Sequence, residues 1–263
     1  MTATEKKTLA EHKEYVEQLA RISFFFACRW MKKRTPEKSM GELLREHTPL
    51  LYHALEYHDH ETRWNNPDCL EIMAKADELQ YLPVEEFENR MWAEIAESAL
   101  KRAEKLYPTS VGMQVSPDWN VGSLKYDSPI KTLPKNYCNF HIANAVSPKS
   151  IFCDPEYLPK CFTELLDRSE KEYGYDTLHT GTWLNDECRW LKLFPQEWHD
   201  NLTSQPNDIG WSFGNWGQVV TARGTFNYKA GAYLRENGTL KYKAKNSHCS
   251  FRAMREHLAQ LKF

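Results

Sequence analysis

Glycine and proline are spread very unevenly along these 263 residues, and that unevenness limits what the chain can fold into more than any other feature. Residues 1–107 hold a single glycine, Gly41, and four prolines; residues 108–263 hold the other ten glycines and nine prolines. A glycine inside a helix costs about 1 kcal/mol and a proline about 3. The first stretch therefore admits long helices, and the second must be rich in turns. The fold class implied is α+β, or α/β, with a helical N-terminal region (1–107) packed with a mixed, helix-covered β-sheet region (108–263). One continuous domain is the alternative arrangement.

Start signals draw the helices of the first region. Val16, Leu19, Ser23, Phe26 and Trp30 recur at helical spacing within a first helix from about Thr4 to Trp30. A second helix begins near Ser39. Thr48-Pro49 and Asn66-Pro67 each read as an N-cap followed by a first-turn proline, opening a third and a fourth. A last helix follows Pro83 and is expected to close at Tyr107-Pro108.

The second region alternates in type. Asn120–Tyr126, Tyr137–Val146 and Thr177–Leu184 read as strands, and Pro155–Tyr173 as a helix capped by Asp154 and ended by Gly174. Glu187–Leu202 is expected to be helical with a break at Pro195, and Trp211–Ala222 to be a glycine-broken strand or loop. Asn237-Gly238, inside Leu234–Lys245, is a hairpin signal. Ser250 caps a final helix reaching Leu261. Strands separated by helices imply a covered sheet.

Charge and cysteine narrow the function classes. A net charge of −2 argues against a general polyanion binder, so no nucleic-acid partner is expected. No apolar run reaches the ~18–20 residues of a membrane span, and Met1–Lys7 lacks the basic-then-apolar order of a signal peptide. Seven cysteines are too few for a disulfide scaffold and odd in number. The expectation is a reduced, soluble, cytoplasmic protein.

Two histidine groups carry the candidate chemistry. Alternation puts Asn139, His141 and Ala143 on one face of their strand, and Thr177, His179, Gly181 and Trp183 on one face of theirs. If the strands are neighbours, His141 and His179 approach each other as catalytic bases. The other group is His53, Glu56 and His60, at i, i+3 and i+7 of the expected third helix, where they could share a metal. They have no matching pair on another helix, so no metal is assigned.

Substrate contacts are expected from Asn139 and Trp183, from the aromatic, glycine-broken run that carries Trp211, Asn215, Trp216 and Gln218, and from Lys241 and Lys243. Those lysines, with Lys245, alternate on an expected strand, inside a segment from Arg223 to Phe263 that has nine Lys or Arg against two Glu. That positive field points to an anionic small-molecule substrate. Neither Gly-x-Gly-x-x-Gly nor Gly-x-x-x-x-Gly-Lys-Ser/Thr occurs, so no cofactor is named.

The strand Thr177–Leu184, then Asn185, then a helix ending in an aromatic residue, resembles the late strand–Asn–helix segment of acetyl-CoA-dependent acyltransferases, over about a tenth of the chain. That family's Arg/Gln-x-x-Gly-x-Gly/Ala pyrophosphate loop is missing after Tyr137–Val146, where Ser147-Pro148-Lys149-Ser150 stands instead. The resemblance implies an analogy of fold. The leading expectation is a metal-independent, acyl-transferase-like enzyme of small-molecule metabolism with His141 or His179 as general base. A metal-dependent (non-haem iron or zinc) enzyme using His53, Glu56 and His60, and a non-catalytic binding protein, are the competing expectations.

Overall fold

Thr8 opens the first helix, α1 (Leu9–Phe26), with a capping box: its hydroxyl accepts from the Glu11 N–H, and the Glu11 carboxylate accepts from the Thr8 N–H. The computed structural model describes residues 7–58, 63–112, 121–204 and 209–261. From α1 the chain runs on through a π-turn (Ala27–Met31) to Arg34. A second capping box, Ser39 with Glu42, opens α2 (Met40–His47). Gly41 stands where α2 passes α3 (Pro67–Leu79); a Cβ there would lie 2.8 Å from Met73 Cβ, so the close approach requires glycine.

The expected third helix does not form. The Thr48 hydroxyl donates back to Leu44 O and receives the Leu50 N–H only at 3.4 Å, a weak cap. A single π-turn (Leu50–Ala54) results, and Glu56 at φ 55° ends it. The helix α4 (Val84–Gly112) passes through Pro108 instead of stopping before it. So near a helix end, the proline forfeits little of the hydrogen-bond ladder.

Beyond residue 120 come β1 (Leu124–Tyr126), β2 (Tyr137–Ile142), α5 (Tyr157–Tyr173), β3 (Thr177–Thr182) and β4 (Thr203–Ser204). A helix α6 (Tyr228–Asn237), the strand β5 (Lys245–Ser250) and α7 (Phe251–Gln260) complete the described chain. Asn237-Gly238 makes no hairpin. Gly238 (φ 64°) closes α6, its N–H bonded to Leu234 O, and a Cβ there would meet the Trp30 ring at 2.3 Å. A positive φ serves a helix C-cap as readily as a hairpin turn.

The chain divides into two units. A helical unit joins Lys6–Val111 to Asp208–Lys241, and a sheet unit joins Gly112–Asn207 to Tyr242–Phe263. Hydrophobic burial explains the first pairing: Trp216, Val219, Phe226, Leu234 and Leu240 complete the core that Leu19, Phe26, Leu44 and Phe87 begin. The sheet runs β1-β2-β3-β5-β4. Only β2 and β3 pair in parallel, with α5 in the crossover between them; the other pairs are antiparallel. The architecture is thus α+β with a helical N-terminus. Among the described residues no helix is long and apolar enough to cross a membrane.

Candidate active site

One face of the sheet is sealed. Cys138 and Phe140 of β2, Leu178 and Thr180 of β3, and Ser247 and Cys249 of β5 are all buried. Their hydrophobic members pack with Phe162 and Leu166 of α5, with Met254 of α7, and with Trp190 and Trp198. A side-chain period of two then leaves the alternate residues no choice but the other face. Register sets their order across it: Lys125 opposite His141, Asn139 opposite His179, and His179 opposite His248.

These polar side chains form a directed hydrogen-bond chain. Asp127 follows β1 and continues its ladder, its N–H bonded to Asn139 O, while its own carbonyl accepts from the Tyr175 hydroxyl. Its Oδ2 receives His141 Nε2 at 2.8 Å and Asn139 Nδ2 at 2.7 Å. The Asn139 Oδ1 lies 3.0 Å from His179 Nδ1. A carboxylate only accepts, so the Asn139 amide must donate to it and turn its oxygen to His179. Both tautomers follow. His141 carries its proton on Nε2 and keeps Nδ1 as a base; His179 carries its proton on Nδ1 and keeps Nε2 as a base.

Electrostatics agree with that assignment. Burial would raise the Asp127 carboxyl, but the hydrogen bonds from His141 and Asn139 outweigh it and hold the group below the usual carboxylate range. Burial, helped by the nearby His248, pushes His179 below its ordinary value, so it is neutral at pH 7. The Tyr137 ring stands 6.0 Å from the His179 ring and 5.6 Å from that of His248. His141 is the open end, with 52% of its side chain exposed. Burial pushes the Cys138 thiol up to about 12 and raises Cys249 as well, which makes both poor nucleophiles at neutral pH.

The remaining sequence-derived candidates have contacts of their own. β3 stops at Thr182, whose hydroxyl accepts from the Leu184 N–H and starts a 3₁₀ turn, so Trp183 leaves the face of His179 and its ring lies 5.8 Å from that of Tyr242. Lys241 and Lys243 precede β5 and share no strand face with Lys245. The Lys243 N–H and the Lys245 ammonium both bond the Asp186 carboxylate. Trp211, Asn215, Trp216 and Gln218 belong to the helical unit, whereas Asn139, His141, His179 and Trp183 belong to the sheet unit. Trp216 is fully buried, donates to His47 O and packs edge-on against Phe26. The Trp211 ring lies 5.2 Å from that of Tyr52, and Gln218 donates to Asn215 O.

Without the third helix, His53 and Glu56 have no common helical face. His53 stacks on Phe213, and His60 lies outside the described residues. Among the described residues no group of three or more His, Cys, Asp or Glu is placed to hold a metal ion. Glu56 instead faces His12, 3.5 Å from its Nε2, in a buried polar cluster that sequence reasoning missed. His12 is 1% exposed, and among the described residues neither ring nitrogen has a hydrogen-bond partner. Burial, and then the charge of Lys7, push it down to about 4. A helical wheel gives no hint of this, because the cluster is assembled by the Glu56 turn.

The pH effect has a definite sign. An unfolded His12 titrates near 6.5 and the folded one near 4. The unfolded chain therefore binds the extra proton first, and stability present above 6.5 is lost as pH falls toward 4, by about 3 kcal/mol from this one residue. Urea denaturation at pH 7 and pH 4 should show His12→Phe losing correspondingly less in acid than the parent. Equal acid losses in the two would contradict a neutral, buried His12.

Comparison with known proteins found no matching family model, no matching curated protein and no matching solved structure.

Proposed function

We propose that the polar sheet face is the active site of an enzyme that transfers a group, an acyl group in the first instance, on a small anionic molecule by general acid–base catalysis. His141 is the base: Nδ1 takes the proton from the attacking hydroxyl or amine as it bonds to the acyl carbon of a thioester donor, Asp127 steadies the imidazolium that forms, and Nδ1 returns the proton to the thiolate that leaves as the carbon–sulfur bond breaks. Asn139 is a positioning residue, and His179 presents a second neutral imidazole on the same face. Lys125, opposite His141 in the register, supports the anionic character of the substrate. The observation that carries the reading is the chain from His141 through Asp127 and Asn139 to His179, which fixes which nitrogen of each ring is a base.

The reading is tested in two steps. Thermal-shift screening with acyl thioesters and phosphorylated metabolites is expected to raise the melting temperature for at least one class, by mass action. Nitrogen-edited imidazole NMR is expected to show His141 in the Nε2–H form and His179 in the Nδ1–H form. If no anionic ligand stabilises the protein and both rings exchange tautomers freely, the face is not a preorganised acid–base site and the protein is better read as a non-catalytic binding protein.

A further inference from the structure

The helical unit contains a cleft of about 710 Å³ between α3 and α4. Its floor is apolar, made by Ile72 of α3, Ile95 and Ala99 of α4, and Leu55. Its rim is acidic. Among the described residues Asp68, Glu71 and Glu78 come from α3 and Glu94 from α4, against two cations, Lys75 and Arg102, for a formal charge of −2. Both cations already have partners. The Lys75 ammonium bonds both Glu78 oxygens, at 3.1 and 3.0 Å, with Glu94 adding to its field. Arg102 donates to the carbonyls of Leu55 and Glu56, and its guanidinium lies 4.0 Å over the Tyr57 ring. The Tyr57 hydroxyl donates in turn to Asp68.

From this geometry we propose that the cleft binds an aliphatic diamine or polyamine. The volume falls within the range of small-molecule sites. The apolar floor suits a methylene chain, and the uncompensated charge suits a dication. Lys75 shows what the walls accept, since it lays an ammonium on a methylene stem between Glu78 and the field of Glu94. Glu71 and Glu78 are seven residues apart, about 10 Å along the helix axis. The acidic groups thus form two poles: Asp68 and Glu71 at one end, and Glu78 and Glu94 at the other. An amine at each pole, joined by an extended chain over Ile72, Ile95 and Ala99, satisfies charge and shape together.

The test is calorimetric titration of the intact protein with 1,8-diaminooctane at constant ionic strength, with octylamine and magnesium chloride as comparison probes. Saturable one-to-one binding of the diamine is expected, with octylamine weaker by at least tenfold. Glu71→Gln and Glu94→Gln each remove one of the two carboxylates of a pole and should weaken binding at least fivefold. Both positions are exposed, so the circular dichroism spectrum should not change. Lys75→Met vacates the second pole and should tighten diamine binding several-fold, and by more than it tightens the binding of magnesium, which a general gain in negative charge would not do. The proposal is overturned if the diamine fails to saturate in both the parent and Lys75→Met, if magnesium displaces it at equal concentration, or if the glutamate variants bind as the parent does. Binding of a lysine-rich helical peptide in place of the diamine would also overturn it, and would assign the cleft to a protein partner.

Discussion

Replacing Asn185 by alanine is expected to destabilise the sheet unit by about 4 kcal/mol or more, the largest single-residue loss this structure implies. Asn185 is fully buried, and four hydrogen bonds meet on its side chain. Its Oδ1 accepts the indole N–H of Trp190 at 3.0 Å and of Trp198 at 3.3 Å; its Nδ2 donates to Thr180 O and Lys245 O. Alanine would strand two buried indole donors inside the aromatic core, at about 1–3 kcal/mol each, and unpin β3 from the start of β5. Urea denaturation followed by tryptophan fluorescence gives the number. Asn185→Asp keeps the acceptors but loses both donors and buries a charge, so it should fare no better. A loss below about 1 kcal/mol for the alanine variant would show that water can reach the indoles. The strand–Asn–helix segment thus turns on a buried clamp, and Asn185 has a structural role there.

The second large effect concerns turnover. On the proposed reading, Asp127→Asn should lower kcat/KM by about 10²–10³-fold while leaving the melting temperature within a few degrees. Both hydrogen bonds to Asp127 converge on one oxygen, so an asparagine oxygen in that place can keep His141 and Asn139 roughly where they are. What vanishes is the negative charge that steadies the protonated His141. Asn139→Leu separates the two histidines: it cuts the link to His179 and leaves the Asp127–His141 pair. If His141 is the base, Asp127→Asn is the more damaging change. If Asn139→Leu is worse, His179 is the base and the roles exchange. Full activity in both variants would remove the sheet face as the catalytic centre.

Much of the fold was legible in the sequence, and the rest was hidden for physical reasons. The scarcity of Gly and Pro before residue 108 foretold helices, and side-chain alternation put His141 and His179 on the faces they occupy, because a sealed opposite face leaves register no freedom. Asp127 was invisible, since a lone aspartate after a short strand reads as turn chemistry until the Asn139 ladder shows where it points. His248 was not singled out, because Ser250 two residues on marks a helix start; the residues before that cap are also the end of β5. The π-turn after Pro49 was missed because its opening residues are those of an α-helix N-terminus, and only the positive φ of Glu56 reveals the break. The split of the chain after residue 207 left no local mark, because apolar residues such as Val219 and Phe226 do not say which core they will join.

The place of β5 in the sheet has a consequence for synthesis. Spatially it lies between β3 and β4, yet it comes after both in the chain, with the whole of Asp208–Lys241 intervening. While the polypeptide emerges, β3 must wait with one edge open for roughly sixty residues, displaying the unpaired backbone of a six-residue strand. Contacts so distant in sequence form slowly, and an open apolar edge is where misassociation begins. Conditions that slow translation near residue 241 should therefore lower the yield of correctly folded protein more than the same slowing within the first hundred residues, where the contacts are mostly helical and local.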